Sequence, residues 1–237
     1  MLTDSDLYRR GTATLLASWE EYARGAAGAE VRRFPGVTAA VFPNEPERGV
    51  YNNALLECAD AIDVMETAYA AAGVTHFAAW VHESDEAMRA DLERRGYSLN
   101  ETTRATGMAL DDIPLPRPEI DLAPPDWSEY LRIVGVPEDF LTGADPAAYH
   151  VLIGQLHGEN VATGMAFDLD GDCGIYNVGT LEHARRRGLG TALTALLLHD
   201  ALARGCQTAS LQSTEIAQGV YAAVGFRDLG QIFEYVP

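Results

Sequence analysis

The stretch ARRRGLGT, residues 184–191, decides how the rest of the chain is interpreted. Before it, residues 175–181 form an apolar run typical of a strand, and after it residues 191–203 have the composition of a helix. A strand, a glycine-containing turn and a helix form a phosphate-binding layout, because N–H groups at the helix start point at the anion. Three consecutive arginines strengthen this prediction of a bound anion, since the formal net charge of the chain is -18.

Length and charge narrow the classes of protein to which the chain can belong. Its 237 residues allow one large domain or two small ones. The acidic balance argues against a nucleic-acid partner, because binding phosphate backbones needs a basic surface. Acidity favours a cationic substrate such as an amine, and the alternative is an acidic surface that serves only solubility.

The cysteines and the first residues of the chain indicate its compartment. Cys58, Cys173 and Cys206 are odd in number, widely spaced and outside any metal-ligand pattern. They predict free thiols in a reducing compartment and no metal. The opening MLTDSDLYRRG carries charges where a signal peptide would have its apolar run, and no stretch approaches the roughly 18 apolar residues of a membrane span. We therefore expect a cytoplasmic protein with no membrane partner.

Apolar periodicity and turn residues predict alternating helices and strands, hence an α/β (α+β) fold. The predicted helices are 4–25, 59–72, 84–95 with Ser84 as N-cap, 127–135, 191–203 and 215–224. The predicted strands are 37–42, 50–56, 75–81, 98–110, 149–156, 161–169, 175–181, 207–212 and a terminal strand. The string DLDGD resembles the start of a calcium loop, but Cys173 stands where that loop requires glycine, so we predict a hairpin turn.

Five prolines interrupt residues 111–127, DDIPLPRPEIDLAPPDW, and predict an extended connector. We place the domain boundary here, with one domain over residues 1–113 and another over residues 114–237. Within the connector, residues 119–122 are a candidate first strand of the second domain.

An internal repeat supports two similar domains. Residues 82–97, HESDEAMRADLERRGY, align without a gap on residues 211–226, LQSTEIAQGVYAAVGF. The first copy has Leu92 where the second has Tyr221, and nothing like ARRRGLGT precedes its helix. The repeat therefore predicts a duplicated domain whose first copy is a structural lobe.

Two motifs of one family occur in the second half of the chain. Their residues are Arg185, Gly188, Gly190, Tyr221, Gly225 and Phe226. The first three match R/Q-x-x-G-x-G/A within the turn, and the last three match Y-x-x-x-G-F downstream. On these residues, the chain from 119 to 237 resembles the GNAT superfamily of N-acetyltransferases. The resemblance implies two tandem GNAT-like lobes, each a mixed, mostly antiparallel sheet flanked by helices, and one active site per chain.

The resemblance also implies a co-substrate, acetyl-CoA, and a role for each matching residue. The strand before the turn would pair with the pantetheine arm, and the N–H groups of residues 186–191 would hold the pyrophosphate, with arginine side chains adding charge-assisted contacts. The implied cofactor-binding residues are Val178, Gly179, Thr180, Arg185, Arg186, Arg187, Gly188, Leu189, Gly190 and Thr191. Tyr221 would be the general acid that protonates the departing thiolate, and its alternative role is an aromatic filling the core.

The chain departs from the family pattern at two positions. Thr214 stands where the family often has asparagine, and Glu182 replaces the usual proline before the turn. No carboxylate lies where relatives place a general base. The titratable residues nearby, Glu215, Asp200, His199 and His183, all have ordinary surface or turn interpretations, so we assign no base.

Several functions stay open at this stage. The leading hypothesis is acetylation of a small-molecule amine, with the acidic loop 135–148 bordering the amine pocket. Acetylation of a protein N-terminus or lysine is a variant of it. A non-catalytic CoA-binding or protein-interaction module is the alternative from another class. A homodimer is kept as a partner hypothesis.

Overall fold

A computed structural model describes residues 2–47, 49, 51–136 and 143–237. By contacts the chain forms two compact units, and neither is one continuous segment. Unit 1 comprises Met1–Ala17, Ala105–Leu141 and Asp145–Leu229. Unit 2 comprises Ser18–Arg104, Thr142–Ala144 and Gly230–Pro237. The domain boundary between residues 113 and 114 was placed from the sequence, and it stays a prediction.

Along the described chain, one to three strands follow each helix, in the order that the sequence predicts apart from β1. The helices are α1 (Asp4–Gly25), α2 (Ile62–Ala71), α3 (Glu86–Arg94), α4 (Trp127–Val134), α5 (Leu189–Arg204) and α6 (Gln218–Ala223). The strands are β1 (Glu30–Phe34), β2 (Val37–Val41), β3 (Asn53–Leu56), β4 (Ala78–His82), β5 (Ser98–Ala109), β6 (Leu122–Ala123), β7 (His150–Leu156), β8 (Glu159–Leu169), β9 (Asp172–Thr180), β10 (Thr208–Thr214) and β11 (Arg227–Val236). The mixed α/β class, with a mostly antiparallel sheet flanked by helices, is confirmed.

Besides shifts in the bounds of elements, two of the sequence predictions differ from the structure. The N-cap of α3 is Asp85, whose carboxylate accepts from the backbone N–H of Met88 at 2.9 Å, so Ser84 is not the cap. Strand β1, EVRRF, was not predicted, because its charged residues hide the apolar alternation that marks a strand. It lies at the end of the strand order, where exposed side chains are tolerated.

Unit 2 carries strands in the order β1-β2-β3-β4-β11-β5. Three of the pairings are antiparallel, and β3 pairs with β4 in parallel. The core beneath them contains α2, where the ring of Tyr69 stacks on Phe77 with centroids 4.2 Å apart. No residue of the turn motif belongs to this unit.

Unit 1 carries strands in the order β5-β10-β9-β8-β7-β6. Two-residue turns join β7 to β8 and β8 to β9, with positive φ at both turn residues: +54° and +81° at His157 and Gly158, +47° and +79° at Asp170 and Gly171. This is the conformation that hairpins favour. The hairpin predicted for DLDGD is confirmed.

Asp172, the last residue of that string, is buried and fully engaged by the protein. Its carboxylate accepts from the hydroxyls of Thr14 (2.8 Å), Thr208 (2.6 Å) and Ser210 (2.7 Å). A buried carboxylate needs such donors to offset its lost hydration. Asp172 therefore joins three segments of unit 1, and it is a structural residue.

The predicted connector runs along α5 and is fastened to it at two places. His199 approaches the carbonyl oxygen of Leu115 through Nε2 at 2.9 Å, and Arg117 forms an ion pair with Asp200 at 2.5 Å. Of the candidate strand at 119–122, only Leu122 lies in a strand, the two-residue β6, which pairs with β7. In the described part of the chain, no helix is long and apolar enough to cross a membrane.

The two aligned copies of the repeat end in the same backbone geometry. After α3, Gly96 has φ of +97° and Tyr97 N–H donates to Leu92 at 3.1 Å. After α6, Gly225 has φ of +104°, and the N–H of the next residue donates to Tyr221 at 3.1 Å. This likeness supports the duplication, which stays a prediction.

Candidate functional site

The arginine-glycine turn leaves a row of backbone donors without acceptors. Arg186 and Gly188 have φ of +61° and +78°, and α5 begins at Leu189 with no side chain capping it. Among the described residues, no group accepts from the N–H groups of residues 186–191. Uncapped N–H groups and the helix dipole make this point favourable for an anion.

The arginine side chains add positive charge at the same place. Arg185 donates from Nε to the carbonyl of Thr180 at 3.1 Å, which ties the turn to the end of β9. Arg186 and Arg187 are exposed, and no described residue forms an ion pair or hydrogen bond with their guanidinium groups. Two cations without counter-ions beside a helix N-terminus are suited to phosphate oxygens.

The two glycines of the turn serve different purposes. Gly188 adopts a left-handed backbone that favours glycine. Gly190 has ordinary helical geometry, and a Cβ there would meet only Val178 Cγ1 at 3.9 Å, an ordinary contact. Protein packing therefore does not require glycine at 190, and its small size leaves the helix start open to a ligand's approach.

Strands β9 and β10 separate as they approach the turn. Three residue pairs join them in parallel, from Asp172–Thr208 to Gly174–Ser210, and the described residues beyond have no such pairing. On its other edge, β9 stays paired with β8 through Gly179 and Thr180. Val178, Gly179 and Thr180 thus lie on a strand with one edge toward the gap, immediately before the turn.

Tyr221 lies on α6, which packs against α5 and β10. Its ring is half-buried and meets Phe226 edge-on, with centroids 6.0 Å apart. Burial raises the pKa of Tyr221 above its ordinary value, so the phenol is protonated at neutral pH. No described group forms a hydrogen bond with the phenol oxygen, which leaves its proton available.

Gly225 has a packing role that the motif alone does not reveal. At its φ of +104°, a Cβ would lie 2.8 Å from Pro114 Cδ, inside any acceptable contact distance. The Y-x-x-x-G-F ending therefore combines a candidate proton donor with a turn that the fold itself requires.

The titratable residues near the site either pair with other side chains or are exposed to solvent. Asp200 is paired with Arg117, and His183 lies 3.3 Å from Glu159. Glu215 is exposed in the short turn after β10. None of these positions supports a general base, and none was assigned. Residues 137–142 of the acidic loop lie outside the described residues.

Within the described ranges, no group of three or more His, Cys, Asp or Glu residues is placed to hold a metal ion. Cys173 and Cys206 are buried free thiols, whereas Cys58 is exposed. Burial raises the pKa of the Cys206 thiol to about 11, so that it stays protonated.

The sequence did not identify a residue that shapes the gap. Asn177 has φ of +52° within β9, and its Nδ2 donates to the hydroxyl of Tyr130 at 2.7 Å. The asparagine inside the run IYNVGT was the one available signal, because asparagine tolerates left-handed backbone better than most residues.

Comparisons with known proteins add a family and a set of structural neighbours. Residues 113–226 match the model of the acetyltransferase (GNAT) family. No curated protein matches the chain. A GCN5-related N-acetyltransferase from Kribbella flavida superposes with a TM-score of 0.71 at 18% identity, covering 97% of this chain and 95% of that one. Another from Sphaerobacter thermophilus gives a TM-score of 0.58 at 15% identity, covering 98% and 93%. Identities this low establish similarity of fold alone.

Proposed function

We propose, from the match of residues 113–226 to the acetyltransferase (GNAT) family model, that the chain is an acetyl-CoA-dependent N-acetyltransferase acting on a small primary amine. The observation that carries the proposal is the continuity of the gap with the turn. Strand β9 leaves β10, presents an edge and ends in a row of free N–H donors. A ligand with a peptide-like arm and a pyrophosphate matches that sequence of features.

The residues present fit acetyl-CoA. The edge of β9 at Val178, Gly179 and Thr180 would pair with the amides of the pantetheine arm, as an added strand does. The N–H groups of residues 186–191 would donate hydrogen bonds to the pyrophosphate oxygens, and the guanidinium groups of Arg186 and Arg187 would contact phosphate oxygens. Gly190 leaves room for this approach, since the one side-chain atom near its Cβ position, Val178 Cγ1, lies 3.9 Å away.

The proposed reaction is direct transfer. The amine nitrogen forms a bond to the acetyl carbonyl carbon, and the carbon–sulfur bond breaks. The departing thiolate takes the phenol proton of Tyr221, the surplus proton on nitrogen goes to water, and the phenolate regains a proton from water before the next turnover. Backbone N–H groups of β9 near Val178 would stabilise the oxyanion that develops on the carbonyl. Holding both reactants together supplies much of the rate through orientation.

The acceptor is proposed from charge. A chain with a net charge of -18 attracts cations, so small amines are the first class to test. Because no base is assigned, we propose that the fraction of amine that is already neutral reacts.

The test is release of CoA thiol from acetyl-CoA with a panel of amines, such as spermidine, glucosamine and a peptide with a free N-terminus. The assay is free of acetylation of the protein's own lysines, because all 17 of its Lys and Arg residues are arginine. Amine-dependent release together with the acetylated amine by mass spectrometry supports the proposal. Binding of acetyl-CoA without turnover would favour a non-catalytic CoA-binding module, and turnover with the peptide alone would favour a protein acceptor.

A further inference from the structure

Strand β9 has one extra residue relative to β8, the strand with which it pairs. Against β8, Gly179 pairs with Thr163, but the next pair toward the start of β9 is Tyr176 with Met165. Two steps along β8 therefore match three steps along β9. The extra residue falls at positions 177–178, immediately before the strand edge that faces the gap, and it forms a β-bulge.

The bulge reverses which side chains face α5. Before it, Cys173 and Ile175 belong to the core that α5 covers. After it, Val178 takes that side, because its Cγ1 lies 3.9 Å from the Cβ position of Gly190. The Cβ position of Gly179 instead faces α4, 3.9 Å from Ile133. Without the extra residue, strand alternation would point Asn177 into the apolar core.

The side chain of Asn177 is held from the α4 side. Its Nδ2 donates to the hydroxyl of Tyr130 at 2.7 Å, and Tyr130 is buried. The ring of Tyr130 stacks on Trp127 with centroids 5.0 Å apart, and Trp127 stacks on Tyr149 at 5.8 Å. A hydroxyl at the end of such a stack has a fixed position, so it can hold the residue whose φ is +52°.

We propose that Tyr130 and Asn177 are positioning residues: their hydrogen bond fixes the bulge that aims the outward N–H groups of residues 178–180, which alternate with those facing β8, into the gap between β9 and β10. The role in transfer rests on the proposed function, whereas the control of the bulge does not. Tyr130 acts through Asn177, and neither side chain takes part in the chemistry.

Hydrogen exchange at the β9 amides tests the control of the bulge without any substrate. The informative variants are Tyr130→Phe, which keeps the ring and loses the hydroxyl, and Asn177→Ala. The matched control is Tyr69→Phe, which removes a buried hydroxyl bonded to Ala40 O at 3.1 Å in unit 2. We expect faster exchange over residues 176–181 in the first two variants and not in the control. Unchanged exchange in Tyr130→Phe would overturn the proposal, whatever the enzyme's activity.

Kinetics test the consequence for transfer, with acetyl-CoA and the amine that the panel selects. A small misplacement of the donors predicts that kcat falls roughly 10- to 100-fold in Tyr130→Phe and Asn177→Ala. Asn177→Gly should recover part of this loss, because glycine adopts positive φ without strain. A role confined to stability would leave kcat of the folded variants at the wild-type value, and that result would refute positioning. If the wild-type protein neither binds acetyl-CoA nor releases CoA, the proposed function fails, and the exchange result still decides the bulge.

Discussion

The phenol of Tyr221 is the single side chain on which the proposed chemistry depends. Removing its hydroxyl leaves the ring against Phe226, so Tyr221→Phe should fold and bind acetyl-CoA as the wild type does. Loss of a general acid predicts a fall in kcat of roughly 100-fold or more. Steady-state kinetics and calorimetric binding measure the two effects separately.

The control for that variant is Tyr97→Phe, which removes a hydroxyl bonded to Glu66 at 3.0 Å in unit 2. It should leave kcat unchanged. Wild-type turnover by Tyr221→Phe would show that the phenol fills the core and is not the acid.

Glu234 gives a prediction about stability at the residue scale. Burial, then the charge of Glu101, raises its pKa to about 7, while a hydrogen bond from Thr103 at 3.5 Å acts in the opposite direction. The folded state thus holds this proton more tightly than the unfolded state does. The contribution of the carboxyl to stability is complete below about pH 4.5 and is lost as the pH rises toward 7.

Glu234→Gln removes that penalty, because an amide carries no charge to bury. The variant should exceed the wild type in free energy of unfolding by up to roughly 3 kcal/mol at pH 8, and the difference should shrink toward pH 4. Chemical denaturation across this range measures it, with exposed Glu215→Gln as control. A difference independent of pH would contradict the raised pKa.

At the scale of elements, the end of α6 depends on a glycine in close contact. In Gly225→Ala, the new Cβ would lie 2.8 Å from Pro114 Cδ, and the residue would also have to keep a positive φ. In Gly96→Ala, the residue would have to keep a φ of +97°, but no atom lies within 4 Å of the new Cβ. Backbone strain alone costs about 1 kcal/mol, so Gly96→Ala should lose about that much. Gly225→Ala should lose clearly more, by roughly 2 kcal/mol or above. Chemical denaturation measures the free energy of unfolding of both variants. Equal losses would show that Pro114 moves aside without an energetic cost.

The turn between β9 and α5 predicts an effect on binding. Arg186→Ala combined with Arg187→Ala removes two exposed cations that no described residue engages. Affinity for acetyl-CoA should fall roughly 10- to 100-fold, since charge-assisted contacts contribute about 1.5–3 kcal/mol each at best. Arg9→Ala combined with Arg94→Ala removes the same net charge elsewhere and should bind normally. Equal affinity in the two double variants would refute the phosphate role of the turn.

Elements with strong periodicity were predictable, and geometry fixed by distant partners was not. Helix α1 was predicted with both ends correct, because its apolar face repeats clearly over 22 residues. The ion pair of Asp200 with Arg117 joins positions 83 apart, which no local pattern reveals. The bulge at Asn177 likewise follows from pairing with β8 and a bond to α4, so the strand run alone could not predict it.

For the whole molecule, we propose one acetyl-CoA site per chain. The turn motif occurs in unit 1, and the aligned first copy of the repeat lacks both the turn and the tyrosine. The first lobe that the repeat predicts adds no second cofactor site.

Calorimetric titration of acetyl-CoA into the full chain tests this claim most directly. We expect saturable binding with a stoichiometry of one per chain, and a rise in the unfolding temperature that grows with the logarithm of ligand concentration. Absence of both binding heat and a thermal shift at saturating acetyl-CoA, or a stoichiometry of two per chain, would contradict the account.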